Sequence, residues 1–130
     1  MTISIIIVAF NSGTLLKDCL DSVITSLPDD EIIVVDNHPE NFDLIRFENI
    51  YTDVIFVNNP INNGFGGGNN LGVHSSSGDL LFFLNPDTII NNFDREALVS
   101  NYTKTTIILQ DFHSIILITC IVSPLNLFLR

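Results

Sequence analysis

The chain has 130 residues, enough for one domain with a real core and short for two. With 46% apolar residues and a mean hydropathy of +0.40 it does not belong among disordered chains. Five Lys and Arg against fifteen Asp and Glu leave a net charge of -10, which excludes a protein that neutralises many nucleic-acid phosphates. An anionic ligand would have to be held by a metal ion or by backbone amides.

Ile3 to Phe10 is a β-branched apolar run, the pattern of a strand buried on both faces. No basic residue precedes it and no small-residue cleavage site follows, so it reads as a first strand and not as a signal peptide. Asn11-Ser12-Gly13 breaks the run, and Ser12 or Thr14 is placed to cap the helix that follows. In that helix Leu15, Leu16, Cys19, Leu20, Val23, Ile24 and Leu27 recur at amphipathic spacing, until Pro28-Asp29-Asp30 ends it. Ile32 to Val35 is a second buried strand, stopped by Asp36-Asn37-His38-Pro39. Residues 41 to 50 are expected to form a short helix with Phe42, Ile45 and Phe47 turned inward. Val54 to Val57 is a third strand, and an Asn- and Gly-rich loop runs from Asn58 to about Phe65. A short helix is expected to open within Gly66 to Asn70 and to reach about Ser76. Leu80 to Leu84 is a fourth strand, closed by Asn85-Pro86-Asp87, and a helix is expected from about Asp94 to Tyr102.

The segment Thr105 to Leu129 is rich in Ile, Leu and Thr, and Asp111 is its one acid. Within it Ile115 to Val122 reads as a further strand. Cys19 and Cys120 make no disulfide framework and have no metal-ligand spacing, so a reducing, cytoplasmic compartment is expected. No stretch of about 18 uninterrupted apolar residues occurs.

Strands alternating with helices at this spacing predict an α/β fold with a mostly parallel sheet flanked by helices. In such sheets the ligand sits beyond the carboxyl ends of the strands. Three polar clusters fall at such ends: Asn11-Ser12-Gly13, Asp36-Asn37 and Asn85-Pro86-Asp87. A carboxylate at Asp36 could accept hydrogen bonds from a ribose hydroxyl or a base N–H, or simply start a turn. Asp87 at a strand end is a hard oxygen donor, and Mg²⁺ or Mn²⁺ needs only one or two protein carboxylates when a diphosphate supplies other oxygens. The segment Asn62 to Gly72 carries five glycines, yet it fits neither glycine-rich phosphate motif: Asn69 and Leu71 stand where the dinucleotide pattern needs a small residue, and no Lys lies between Lys17 and Lys104. His38, His74 and His113 lack paired metal-ligand spacing. Ser75-Ser76-Ser77 lacks the nucleophile-elbow pattern.

Four ordered segments resemble the N-terminal half of a family 2 glycosyltransferase of the GT-A fold, most closely its rhamnosyltransferase-like branch. They are Ser4 to Ser12, Glu31 to Asn37, Asn62 to Gly72 and Gly78 to Thr88, and the match covers roughly residues 3 to 100. The resemblance implies a nucleotide-diphosphate sugar as donor, a saccharide or lipid-linked acceptor in cell-envelope polysaccharide synthesis, an inverting outcome and Mg²⁺ or Mn²⁺ as cofactor. It implies a nucleotide pocket lined by Ala9, Phe10, Asn11, Asp36, Asn63, Gly64, Asn70 and Asn85. Asp87 matches the metal-holding Asp of the family's Asp-x-Asp motif, whose first Asp is Asn85 here.

Members of the family continue well past residue 130 into an acceptor-binding half with an acidic general base. Nothing around Asp111 resembles that base, and Val122-Ser123-Pro124 only weakly echoes a later family segment. The chain is therefore expected to be a donor-binding half, with residues 1–104 as the nucleotide-sugar part and 105–130 as a hydrophobic tail, strand-forming and partner-contacting. No catalytic residue is assigned. A homo-oligomer and a cytoplasmic or inner-membrane-peripheral location are expected, with no nucleic-acid partner. The alternative is a non-catalytic nucleotide-binding or interaction module. A dinucleotide-binding domain is disfavoured by the failed glycine pattern. A signalling receiver is disfavoured by Asn11, which stands where an acid cluster belongs.

Overall fold

A computed structural model describes residues 1–38, 43–100, 106–110 and 116–122, with Asp43 and the last two stretches described by their backbone alone. The strands are β1 (Ile3–Ala9), β2 (Glu31–Asp36), β3 (Ile55–Asn58), β4 (Leu80–Leu84), β5 (Thr106–Gln110) and β6 (Ile116–Val122). The helices are α1 (Gly13–Ser26), α2 (Asp43–Ile50), α3 (Gly64–His74) and α4 (Arg95–Ser100). One sheet runs in the order β3-β2-β1-β4-β6-β5. β1 pairs in parallel with β2 and β4, and β2 with β3, so the mostly parallel architecture expected from the alternation holds. β6 then pairs antiparallel with both β4 and β5.

All seven residues of β1 and all five of β4 are buried, as their unbroken apolar runs require. Side chains alternate between the two faces. Ile3, Ile5 and Ile7 join Leu16, Cys19, Leu20 and Val23 of α1 on one face. Ile6 and Val8 join Ile33, Val35, Leu81 and Phe83 on the other, where Leu71 and Val73 of α3 cover them. Leu15 and Ile24 stay largely exposed at the margins of the α1 stripe.

Several expectations are corrected. α3 opens at Gly64 and takes in the glycine-rich segment, and it ends at His74 instead of Ser76. The reason is packing. A Cβ at Gly68 would lie 2.7 Å from Val8 Cγ1, and one at Gly72 would run into Ile6 Cγ2. The glycines let a helix lie directly on β1. Ile45 points outward at 60% exposure, while Phe47 packs on the core; Phe42 lies outside the described residues. α4 is one turn and a half, shorter than expected, and Tyr102 also lies outside them. β5 falls in the tail expected to be strand, although no separate strand was bounded there, and with β6 it extends the sheet beyond β4. Asp111, His113, Ser123 and Pro124 lie outside the described residues, as does the rest of the expected tail apart from the backbone of β5 and β6.

The amino ends of the strands are fastened by polar groups. Arg95 forks onto Asp30, with Nε to Oδ2 at 2.6 Å and Nη2 to Oδ1 at 2.8 Å, and also donates to Met1 O at 2.7 Å. The Asp30 side chain is fully buried and accepts from Ile3 N at 2.9 Å. Burial alone would raise the Glu31 carboxyl, but hydrogen bonds from Ser4 Oγ and from Ser77 N and Oγ outweigh it and hold the group below its ordinary value.

Candidate functional site

Parallel pairing brings the carboxyl ends of β1 to β4 to one edge. Register sets Ala9 beside Asp36 and Asp36 beside Asn58, with Ile7 beside Leu84. Each strand there hands over to a polar turn. After Ala9, Asn11 (φ +49°) and Gly13 (φ +44°) both take the left-handed backbone region, which Asn and Gly tolerate best. Ser12 occupies the N-cap position of α1 without a side-chain cap hydrogen bond. Its Oγ instead folds back, accepting from Phe10 N at 3.2 Å and donating to Phe10 O at 3.3 Å. Thr14 lies inside the helix and does not cap it.

A shallow cleft, open to solvent, lies between these turns and α2. Ala9, Ser12, Gly13, Asp36, Leu44 and Phe47 line it, with Leu16 and Val34. Asp36 is 4% exposed, and its Oδ1 accepts from His38 N at 2.9 Å. Desolvation raises its carboxyl above the ordinary value, although the His38 N–H and the imidazole pull the other way. A buried carboxylate on a cleft wall is a strong acceptor for an N–H or O–H donor of a ligand. The Phe10 ring is exposed and meets the His38 ring at 5.4 Å between centroids, tilted by 58°.

Asparagines join the next two strand ends to α3. Asn37 N donates to Ala9 O at 2.8 Å, and Asn59 N donates to Asp36 O at 2.9 Å. Asn37 Nδ2 donates to Gly64 O at 2.9 Å, while Asn59 Nδ2 donates to Asn37 Oδ1 at 2.6 Å and to Asn63 Oδ1 at 2.9 Å. Both Asn37 and Asn59 are buried. Asn63 and Gly64 are thus engaged in a clasp that seats the start of α3. The Asn63 side chain also lies over Gly67, where a Cβ would strike it. Asn37 stood in the Asp36-Asn37 strand-end cluster but was given no role of its own, and Asn59 was not singled out from sequence. The available signal was an Asn just past each of β2 and β3, a residue whose side chain both donates and accepts.

Asn85 and Asp87 follow β4 on the same edge. Asn85 is partly buried and its O accepts from Cys19 Sγ at 3.7 Å; Asp87 is exposed. Burial of Cys19, and then the nearby Asp87 charge, push that thiol up to about 12, so Cys19 is an inert core residue as expected. Asn70, just past the middle of α3, is partly buried. The structure therefore brings Ala9 and Asp36 together at the cleft, leaves Phe10 and Asn11 on the adjoining turn outside its lining, sets Asn85 and Asp87 at the neighbouring strand end, and holds Asn63 and Gly64 in the clasp.

The donor set can be weighed against a divalent cation. Among the described residues no group of three or more His, Cys, Asp or Glu gathers as a metal cage. One exposed carboxylate, Asp87, suits Mg²⁺ or Mn²⁺ provided that diphosphate and water oxygens complete the shell. No helix among the described residues is long and apolar enough to cross a membrane.

The sheet order and the strand-end cleft define a GT-A type α/β domain. The model of the glycosyl transferase family 2 matches residues 4–116, and the chain belongs to that family. No curated protein matches the sequence significantly. Among solved structures, S. aureus TarS 1-349 is similar at 21% identity with a TM-score of 0.63, over 77% of this chain and 31% of that one. TarS 1-349 in complex with UDP gives 20% identity and a TM-score of 0.66, again over 77% and 31%. The mannosyltransferase PcManGT from Pyrobaculum calidifontis, in complex with GDP-Man and Mn²⁺, gives 18% and 0.59, over 67% of this chain and 28% of that one. The chain thus spans about a third of the length of these structures.

Proposed function

We propose that this chain carries the donor site of an inverting glycosyltransferase. A nucleoside-diphosphate sugar binds across the carboxyl ends of β1, β2 and β4, and its glycosyl group passes to a saccharide or lipid-linked acceptor of cell-envelope polysaccharide. The observation that carries this reading is the meeting of the Ala9-to-Gly13 turn and the buried Asp36 on one cleft, with Asp87 at the next strand end, in a chain of this family. The UDP and GDP-Man of the similar structures support a nucleotide donor, and the Mn²⁺ of the second supports a divalent cation.

In this reading Asp36 accepts from the base or ribose, and the backbone of Ala9 and Phe10 with the Asn11 side chain borders the nucleotide. Asn63, Gly64, Asn70 and Asn85 shape the rim. Asp87 would hold Mg²⁺ or Mn²⁺, which supplies charge neutralisation of the leaving diphosphate. Residues 1–104 form the nucleotide-sugar part, and 105–130 carry the chain toward partners. The Asn85-Pro86-Asp87 form of the metal motif favours the rhamnosyltransferase-like branch, acting at the inner face of the membrane.

Calorimetry with UDP, dTDP and GDP, each with Mn²⁺ and with EDTA, tests the reading. Asp36→Ala is expected to cost about 1.5–3 kcal/mol with or without metal. Asp87→Ala is expected to remove only the metal-dependent part. Absence of heat with every nucleotide at millimolar concentration would refute the proposal.

A further inference from the structure

We propose that Ser22, on α1, is a positioning residue for Asp87, acting through the backbone of the segment that carries it; this rests on the donor-site reading above. Asp87 is exposed, and its carboxylate makes no hydrogen bond among the described residues. Its place is therefore set by the main chain between Asn85 and Ile90. That stretch is fastened to α1 at both ends. At the first end Cys19 Sγ donates to Asn85 O at 3.7 Å, and the same carbonyl accepts from Thr88 N at 3.1 Å, closing the turn around Asp87. At the second end Ile90 N donates to Ser22 Oγ at 3.0 Å, and that hydroxyl in turn donates to Cys19 O at 2.8 Å.

Ser22 is the stronger of the two anchors, because a thiol is a weak donor and a hydroxyl both donates and accepts. The hydroxyl is also oriented: its proton is committed to Cys19 O, so a lone pair faces Ile90 N. Thr88 and Ile90 are 1% and 7% exposed, so the segment cannot shift to find another partner for Ile90 N without opening the core. Loss of the Ser22 hydroxyl leaves that N–H unpaired and loosens the C-terminal half of the turn. The Ala9–Asp36 side of the site lies on other strand ends and is untouched. Ser22 thus governs the metal-dependent part of ligand binding and not the metal-free part.

The test uses the full chain and calorimetry of UDP, dTDP and GDP with Mn²⁺ and with EDTA. The ratio of the two dissociation constants is the metal-dependent gain. In Ser22→Ala this gain is expected to fall about three- to tenfold, the loss of one hydrogen bond's worth of positioning, while the metal-free constant stays within about twofold. Ser22→Thr, which keeps a hydroxyl, is expected to retain the gain. Hydrogen exchange of peptides covering residues 85–90, measured without ligand, is expected to quicken in Ser22→Ala and not in Ser22→Thr. Alanine is the better helix former, so the variant folds. An unchanged gain in Ser22→Ala, or unchanged exchange of residues 85–90, overturns the positioning role. A wild-type chain with no metal-dependent gain overturns it together with the donor-site reading, a result that differs because it appears before any substitution is made.

Discussion

Asn37→Asp exchanges one NH2 for an oxygen at nearly constant volume, on a side chain 3% exposed. The bond from Asn37 Nδ2 to Gly64 O is lost, and two oxygens are left facing each other where 2.9 Å separated a donor from an acceptor. An orphaned buried acceptor costs about 1–3 kcal/mol, and burial of the new charge adds to it, while the bond from Asn59 to the other oxygen survives and strengthens. The expected destabilisation at pH 7 is about 2–4 kcal/mol, or about 10 °C in Tm for a domain of this size.

The pH dependence has a definite sign. Burial raises the folded-state pKa of the new carboxyl above its unfolded value near 3.9, so the native state holds the proton more tightly. Stability is then lost as pH rises through the folded pKa, and recovered below it, where the protonated group donates to Gly64 O again. Urea unfolding at several pH values reads this directly, with Asn37→Ala as the variant that is weakened at every pH. Because the clasp seats the start of α3, nucleotide affinity should fall with stability. An Asn37→Asp chain within about 0.5 kcal/mol of wild type at pH 7 would refute the clasp as an energetic feature.

Asp36→Asn should be more stable than wild type at neutral pH and equal to it below about pH 4, because the raised carboxyl destabilises the native state as pH rises through its folded pKa; chemical unfolding across that range measures it, and a less stable variant at pH 7 contradicts the cause given. Gly72→Ala drives a methyl into Ile6, which is fully buried and cannot yield, so a loss of about 1–3 kcal/mol is expected despite a gain in helix propensity of nearly 1 kcal/mol; thermal denaturation decides. Arg95→Ala leaves the fully buried Asp30 carboxylate with the Ile3 N–H as its donor among the described residues, and should cost about 2–4 kcal/mol at pH 7 by the same measurement. Light scattering at tens of micromolar tests the self-association expected from the apolar composition of residues 105–129, and a clean monomer of 14.5 kDa would count against it.

The sequence by itself determined β1, β4 and α1. A β-branched run buried on both faces and a helical apolar stripe record burial within a single element, and burial is read along the chain. It also placed Asp36 and Asp87, since alternation of strand and helix predicts a parallel sheet and every residue just past a strand then falls on one edge. The glycines of α3 were different. Their number was plain, but whether they approached a ligand or a neighbouring strand depended on the distance between α3 and β1, and the contacts with Val8 and Ile6 answer that only in three dimensions. The clasp of Asn37, Asn59 and Asn63 likewise spans 26 residues of sequence and exists only because β2 and β3 pair in the register that sets Asp36 beside Asn58. Ile45 faces outward because α2 docks through Phe47 and leaves its other side to water. Pattern along a chain encodes which face of an element is apolar; what meets that face across the gap is fixed by register and packing, which belong to the fold and not to any one segment.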